Sequence, residues 1–266
     1  LAMTYSSLAA IVKYPYTSTT TPKHGKFGFF KSELDCFRMV ATELGLIEKS
    51  ADVFARHPLV YLMEAADDIC YQVMDIEDAH KLKILGIEEV TTLLTGFFNP
   101  ERCRHITGVL DNIDDDNEKV AYLRSCVVGE LVGECAKVFV DNEECILNGE
   151  FEGCLIDHIS PVARNGYAEC SRTAWRKIYN SPDVVDIELA GNQIITFLLD
   201  RLIDAVLLPE KNYSRLLLSR IPHQYDTSSP TTYGKIQSVL DHISGMTDVY
   251  ALDLYRKITG MSLPAV

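Results

Sequence analysis

An all-α fold is predicted by three features of the sequence. Apolar residues recur at i, i+3/i+4 along most of the 266 residues, alternating runs are scarce, and no repeat with a period of about 20–50 residues is present. Taken in order, 27–46 shows one apolar face in Phe30, Leu34, Phe37, Val40 and Leu44, with acids at Glu33 and Asp35 and a stop at Gly45. A second long helix covers 57–80, with Pro58 in its first turn, where a missing N–H costs nothing. A shorter one is expected over 87–97, and Asn99-Pro100 then breaks the pattern. The polar run at 111–119 reads as a loop before a third long helix carrying Val120, Leu123, Val127, Leu131, Cys135 and Val138. Further helices are expected at 162–179, 183–207, 210–220 and 232–258. The best strand candidate is a short hairpin at 143–156, turning at Asn148-Gly149. One core is expected, with no clear linker.

Composition narrows the function classes. Apolar residues make up 47% and charged residues 24%, as in ordinary globular proteins. With 25 Lys and Arg against 38 Asp and Glu, the net charge of -13 repels nucleic-acid phosphate and anionic membranes. No uncharged apolar run reaches about 18 residues, so no membrane span is expected. The eight cysteines form no C-x-x-C pair and read as reduced, mostly buried thiols of a cytoplasmic protein. Met is third, and the opening reads like the interior of a longer protein.

The most informative stretch is HPLVYLMEAADDICYQVMDIED at 57–78. At about 100° per residue, Leu62, Ala66, Ile69, Val73 and Ile76 form an apolar stripe. Asp67, Tyr71 and Asp75 stand at i, i+4 and i+8 on another face. The six acids between 64 and 78 have no Lys or Arg among them, which destabilises an isolated helix. Periodicity alone reads this as a solvated acidic face. The tyrosine aligned between two aspartates, and the small pair Ala65-Ala66, point instead to a cleft. There one carboxylate ligates a divalent metal and another hydrogen-bonds a sugar hydroxyl.

The same stretch resembles the final metal-ligand helix of the HD-domain deoxynucleotide triphosphohydrolases, specifically the bacterial dGTP triphosphohydrolase family. TYSSLAAIVKYP at 4–15 is similar to the family segment ending in Lys-Tyr-Pro, and KFGFFKSE at 26–33 to the K-x-G-x-F/Y-x-S-E element that follows it. DHISGMTDVYALDLYRKITG at 241–260 resembles the family's C-terminal helix with its G-M-T-D motif. In that family a His and a later His-Asp pair precede Lys-Tyr-Pro. None of the seven histidines here is followed by Asp. The resemblance therefore implies the C-terminal portion of a longer enzyme, whose missing N-terminal segment carries three of the four metal ligands.

By the same resemblance Asp67 is the fourth ligand of a divalent metal, Mg or Mn by its hard carboxylate, with Fe or Zn also compatible. Tyr71 and Asp75 match the positions that line the deoxyribose pocket, the ring crowding the 2′ side and the carboxylate accepting from the 3′-OH. Lys13 and Tyr14 match the phosphate-side pair, and Lys26 and Lys31 are further candidates for it. Asp68 reads as a structural neighbour, Glu188, Arg215 and Arg220 as helix-packing ion pairs, and Asp248 as a hydrogen-bond acceptor near a helix start. The implied reaction hydrolyses dGTP to deoxyguanosine and tripolyphosphate. The implied fold is an HD-domain-type multi-helix architecture, divided into 1–97, the C-terminal part of the HD-type catalytic domain, and 98–266, a helical C-terminal region packed on it. A homo-oligomer, a hexamer by family analogy, is the implied assembly. The competing class is a helical regulatory or scaffold module without catalysis.

Overall fold

The computed structural model describes residues 3–20 and 25–261. They form twelve α-helices and one two-stranded antiparallel hairpin, so the class is all-α. The chain divides into two compact units at Tyr179/Asn180.

The first unit holds α1 (Tyr5–Ala10), α2 (Leu34–Leu44), β1 (Glu48–Ser50), β2 (Val53–Phe54), α3 (Pro58–Lys81), α4 (Ile87–Thr95), α5 (Pro100–Leu110), α6 (Asp116–Asp141), α7 (Glu143–Leu147) and α8 (Pro161–Thr173). Its centre is α3 packed on α6. All six apolar positions expected on α6, from Val120 to Val138, are buried, because their three- and four-residue spacing keeps them on one side of the helix. Opposite them, α3 buries Tyr61, Ala65, Ile69, Val73 and Ile76. A smaller core of Phe29, Phe37, Ala41 and Phe54 seats α2 and the hairpin, with Phe29 and Phe37 stacked at 4.4 Å.

Several boundaries differ from expectation. The hairpin lies at 48–54, not 143–156. Asn148-Gly149 instead ends α7, with Gly149 left-handed at φ 67°, a role this dipeptide fills as readily as a hairpin turn. The real turn has no glycine. Asp52 takes φ 61° and is held by Arg38 at 2.7 Å. Asn99-Pro100 does follow a break, α4 ending at Thr95, but it also begins α5, a helix not expected there, since Asn99 caps the Arg102 amide at 2.9 Å and Pro100 occupies the first position. The stripe on α3 is rotated from the one expected, leaving Leu62 and Ala66 exposed. Only two cysteines are buried, Cys135 and Cys170, although all eight are free thiols. The expected division at 97 does not coincide with the units, because one core runs from Tyr61 to Ile178 across it.

The second unit holds α9 (Pro182–Leu207), α10 (Asn212–Leu218), α11 (Thr232–Ser244) and α12 (Asp248–Thr259) around Leu198, Leu202, Val239 and Leu254. The single helix expected over 232–258 is two. Gly245-Met246 interrupts it and Thr247 recaps it, accepting from the Tyr250 amide at 3.3 Å. His242 is buried here with no hydrogen-bond partner for its Nε2 among the described residues, its ring 5.2 Å from Tyr225 and 6.4 Å from Tyr250. Burial holds its imidazole below the usual 6.5. The unfolded chain therefore takes up the proton first as pH falls, and the stability this neutral histidine contributes declines below about pH 6.5. Melts at pH 7.5 and pH 5 should show a gap that narrows in His242→Phe. An equal gap in both proteins would refute this.

Candidate functional site

The site is organised by α3. His57 caps it, its Nδ1 accepting from the Leu59 amide at 3.2 Å, and Pro58 occupies the first helical position. The buried stripe holds one side of this 24-residue helix against the core, so its opposite side stays open. Asp67 and Tyr71 lie on that open side, Tyr71 being 60% exposed. Around them Leu59, Leu62, Met63 and Met74 are also exposed, which makes Asp67 a carboxylate set in an otherwise apolar face.

Asp75 is half-buried and already bonded. Its Oδ2 accepts a short hydrogen bond from the Tyr179 hydroxyl. Burial pushes the Asp75 carboxyl above its usual range, opposed by the Tyr179 bond, and burial followed by the Asp75 bond pushes the Tyr179 phenol up. Tyr179 lies 104 residues further along the chain. It was outside the expected site, because no local pattern links it to α3.

The phosphate-side candidates gather at Glu64, one turn before Asp67. Glu64 is buried and receives three donors: Lys13 Nζ at 2.5 Å, Arg56 at 3.0 Å and the Cys154 thiol at 3.1 Å. Burial and then the Glu64 bond push the Cys154 thiol up to about 12, which keeps it protonated as a donor. Burial pulls the Lys13 ammonium down, but the Glu64 bond and charge outweigh it and leave it raised. Arg56 also reaches the Gly153 carbonyl at 2.9 Å and lies 4.4 Å over the Tyr61 ring. These groups line a cavity of about 500 Å³ with Tyr14 and Tyr16. The cavity lining carries Lys13, Lys49 and Arg56 together with Glu64 and Glu152.

Lys26 joins this group, its Nζ 5.7 Å from the Tyr14 ring centre. The glycine of the K-x-G element explains how. A Cβ on Gly28 would overlap the Tyr14 carbonyl, so only glycine lets the 26–33 segment cross the Lys13-Tyr14 loop at this distance. Lys31 starts the 3₁₀ turn that leads into α2.

The remaining acids of α3 are not a free acidic face. Glu77 is buried beside Lys81 at 2.8 Å and Arg124 at 3.1 Å, and Asp78 meets Lys81 at 3.4 Å. Lys81 stands at i+4 from Glu77, just beyond the acidic run, and was a legible partner. Lys13, Arg56 and Arg124 come from elsewhere in the chain. Burial, then the Glu64 charge, pushes the Asp68 carboxyl up, as suits a structural neighbour. In the second unit Glu188 and Arg220 are exposed and Arg215 bonds Asn212, and among the described residues none of the three makes the expected helix-packing ion pair. Asp248 is the first residue of α12, where a negative charge suits the helix dipole.

Among the described residues no three His, Cys, Asp or Glu side chains group as metal donors. Asp67 fits a divalent ion as one carboxylate ligand of a larger set, and no other described side chain completes that set.

Residues 158–257 match the family model of a phosphohydrolase-associated domain. Over 99% of its length the chain is 32% identical to a deoxyguanosinetriphosphate triphosphohydrolase-like protein of Pseudomonas aeruginosa, covering 61% of that protein. It is equally similar, 32% over 99%, to a like-named protein of Synechocystis, covering 61% of it. It is 26% identical over 97% of its length to a deoxyguanosinetriphosphate triphosphohydrolase of Yersinia pestis, covering 60% of that one. The chain thus spans about three-fifths of the length of these relatives. Among the described residues no helix is long and apolar enough to cross a membrane.

Proposed function

We propose that this chain, homologous over nearly its whole length to proteins named for dGTP triphosphohydrolysis, is the C-terminal portion of a metal-dependent deoxynucleoside triphosphate triphosphohydrolase. The observation that carries the reading is the order of groups along α3. Lys13 meets the helix at Glu64, Asp67 follows one turn on, and Tyr71 and Asp75 follow at successive steps of four. At 1.5 Å per residue the line from Asp67 to Asp75 is about 12 Å long. It suits a ligand with its phosphates toward Lys13 and its sugar toward Tyr71 and Asp75.

In the reaction, water adds to the α-phosphorus and the bond to the 5′ oxygen breaks, releasing a deoxynucleoside and tripolyphosphate. A divalent ion, Mg or Mn by the hardness of its carboxylate ligand, supplies Lewis acidity and an activated water when bound. Asp67 is this chain's ligand to it. Lys13 offsets phosphate charge, with Tyr14 and Lys26 beside it. Tyr71 packs under the sugar, and Asp75 accepts from the 3′-OH. The rest of the metal set, with the groups that cover the open apolar face of α3, belongs to a preceding segment of the protein. The reading includes a cytoplasmic enzyme assembled from identical subunits.

The test compares residues 1–266 alone with the full-length protein, each given dGTP and Mn²⁺. The chain alone should release no tripolyphosphate and the full-length protein should release it stoichiometrically with deoxyguanosine. Turnover by the chain alone would overturn the incomplete-site reading. A full-length protein inert on every deoxynucleoside triphosphate would favour a regulatory module.

A further inference from the structure

We propose that Lys49, on the first strand of the hairpin, is a polyphosphate ligand that works beside Lys13; this rests on the triphosphohydrolase reading above. It receives the distal phosphates of the nucleotide and, after cleavage, the same groups in tripolyphosphate. The cavity of about 500 Å³ carries the argument, because the three cations that line it are engaged to different degrees. Arg56 is fully committed. It donates to Glu64 at 3.0 Å and to the Gly153 carbonyl at 2.9 Å, and its guanidinium lies 4.4 Å over the Tyr61 ring. Lys13 is held by Glu64. Lys49 is exposed and makes no ion pair among the described residues. It is the cation that an entering anion meets without first breaking a bond. The opposing acid of the lining, Glu152, is itself exposed and screened by water and salt.

The order of groups along α3 gives the cavity its relation to the reacting centre. Tyr71 and Asp75 follow Asp67 toward the C-terminal end of the helix, whereas Glu64 and Tyr61, which line the cavity, precede it. At 1.5 Å per residue Tyr61 stands about 9 Å along the axis from Asp67. A nucleotide with its sugar at Tyr71 and Asp75 and its α-phosphorus near Asp67 therefore extends its outer phosphates toward the cavity.

The placement of Lys49 has its own structural cause. The Ala55 amide, just after β2, donates to the Ile47 carbonyl at 2.7 Å and closes the base of the hairpin. Gly149, left-handed at φ 67° after α7, lies against this base. A Cβ on Gly149 would come within 2.6 Å of the Ala55 Cβ and 3.7 Å of the Lys49 Cε. Glycine thus lets the chain after α7 close on the hairpin, with the Lys49 stem passing beside it to the cavity. An ammonium on a flexible stem is a compact charge that follows a phosphate group as it moves from substrate to product.

The experiment uses the full-length protein as wild type, Lys49→Met, Lys49→Arg and Lys137→Met. Lys49 is exposed, so methionine removes its charge with little effect on the fold. Lys137 is an exposed lysine of α6 outside the cavity lining and controls for the loss of one positive charge. Each protein is titrated calorimetrically with tripolyphosphate and with dGMP at low ionic strength, without metal. Lys49→Met should weaken tripolyphosphate about tenfold, and Lys49→Arg and Lys137→Met less than about threefold. The single phosphate of dGMP stays near Asp67, so its affinity should not depend on Lys49. In turnover assays Lys49→Met should raise KM for dGTP and weaken inhibition by tripolyphosphate by the same factor, with kcat nearly unchanged. No tripolyphosphate binding by wild type, equal weakening in Lys49→Met and Lys137→Met, or equal weakening of tripolyphosphate and dGMP would each overturn the proposal. The two readings fail separately. Lys49-dependent tripolyphosphate binding by a protein that hydrolyses no deoxynucleoside triphosphate upholds the ligand and removes the triphosphohydrolase reading. Turnover of dGTP with KM and inhibition unaltered in Lys49→Met does the converse.

Discussion

Asp67→Ala should reduce turnover by the full-length enzyme to background while the protein melts within about 1 kcal/mol of wild type. The two halves of this expectation have separate causes. Asp67 is exposed and makes no ion pair or hydrogen bond with the described residues, and it is flanked by exposed Met63, Tyr71 and Met74, so the fold loses almost nothing with its carboxylate. The buried stripe of α3, from Tyr61 to Ile76, is untouched. A metal ligand is different, since its removal disturbs every group that the ion orients. Metal content by elemental analysis should fall together with activity. Full activity with normal metal content would leave Asp67 as a surface acid and remove the central element of the site.

Glu64→Ala should have the opposite profile, costing about 3 kcal/mol of stability whether or not nucleotide is present. The side chain of Glu64 is 3% exposed and Arg56 is 21% exposed, so deleting the carboxylate strands a largely buried guanidinium and leaves the Cys154 thiol without its acceptor. Lys13 is 41% exposed and regains water, so its pair adds little to the total. Lys13→Ala should accordingly cost less than about 1 kcal/mol. The measurement is calorimetric melting of both variants, with Glu64→Gln as a third protein that keeps the shape and loses the charge. If Glu64→Ala and Lys13→Ala melt alike, the three-donor network does not hold this unit together. A separate consequence concerns catalysis. Lys13 is tied to Glu64 beside the cavity, so on the proposed reading a phosphate would compete with a buried carboxylate for it.

Much of the fold was legible because helical burial is a local, periodic property. The six apolar positions on α6 and the caps at Pro58 and Gly45 follow from spacing and residue type alone. Where one local signal serves two structures, reading it from sequence failed. Asn148-Gly149 suits a hairpin turn or a helix end, and Asn99-Pro100, which does follow a break, also starts a helix that spacing did not reveal. Their neighbours in space decided, through the cap to the Arg102 amide and the left-handed Gly149.

The candidate site divides the same way. The sequence by itself determined the line Asp67, Tyr71 and Asp75, because a helix repeats its direction about every four residues. A family resemblance also singled out the Lys-Tyr-Pro and K-x-G elements, which the fold brings together at Tyr14. Tertiary structure alone decided which of these groups are free. It paired Glu64 with Lys13 and Arg56, placed Arg124 beside Glu77, and brought Tyr179 to Asp75. Those partners lie 8 to 104 residues away along the chain. Burying a charge demands a partner, but no local pattern names it, because the pairing is made by the packing of whole helices.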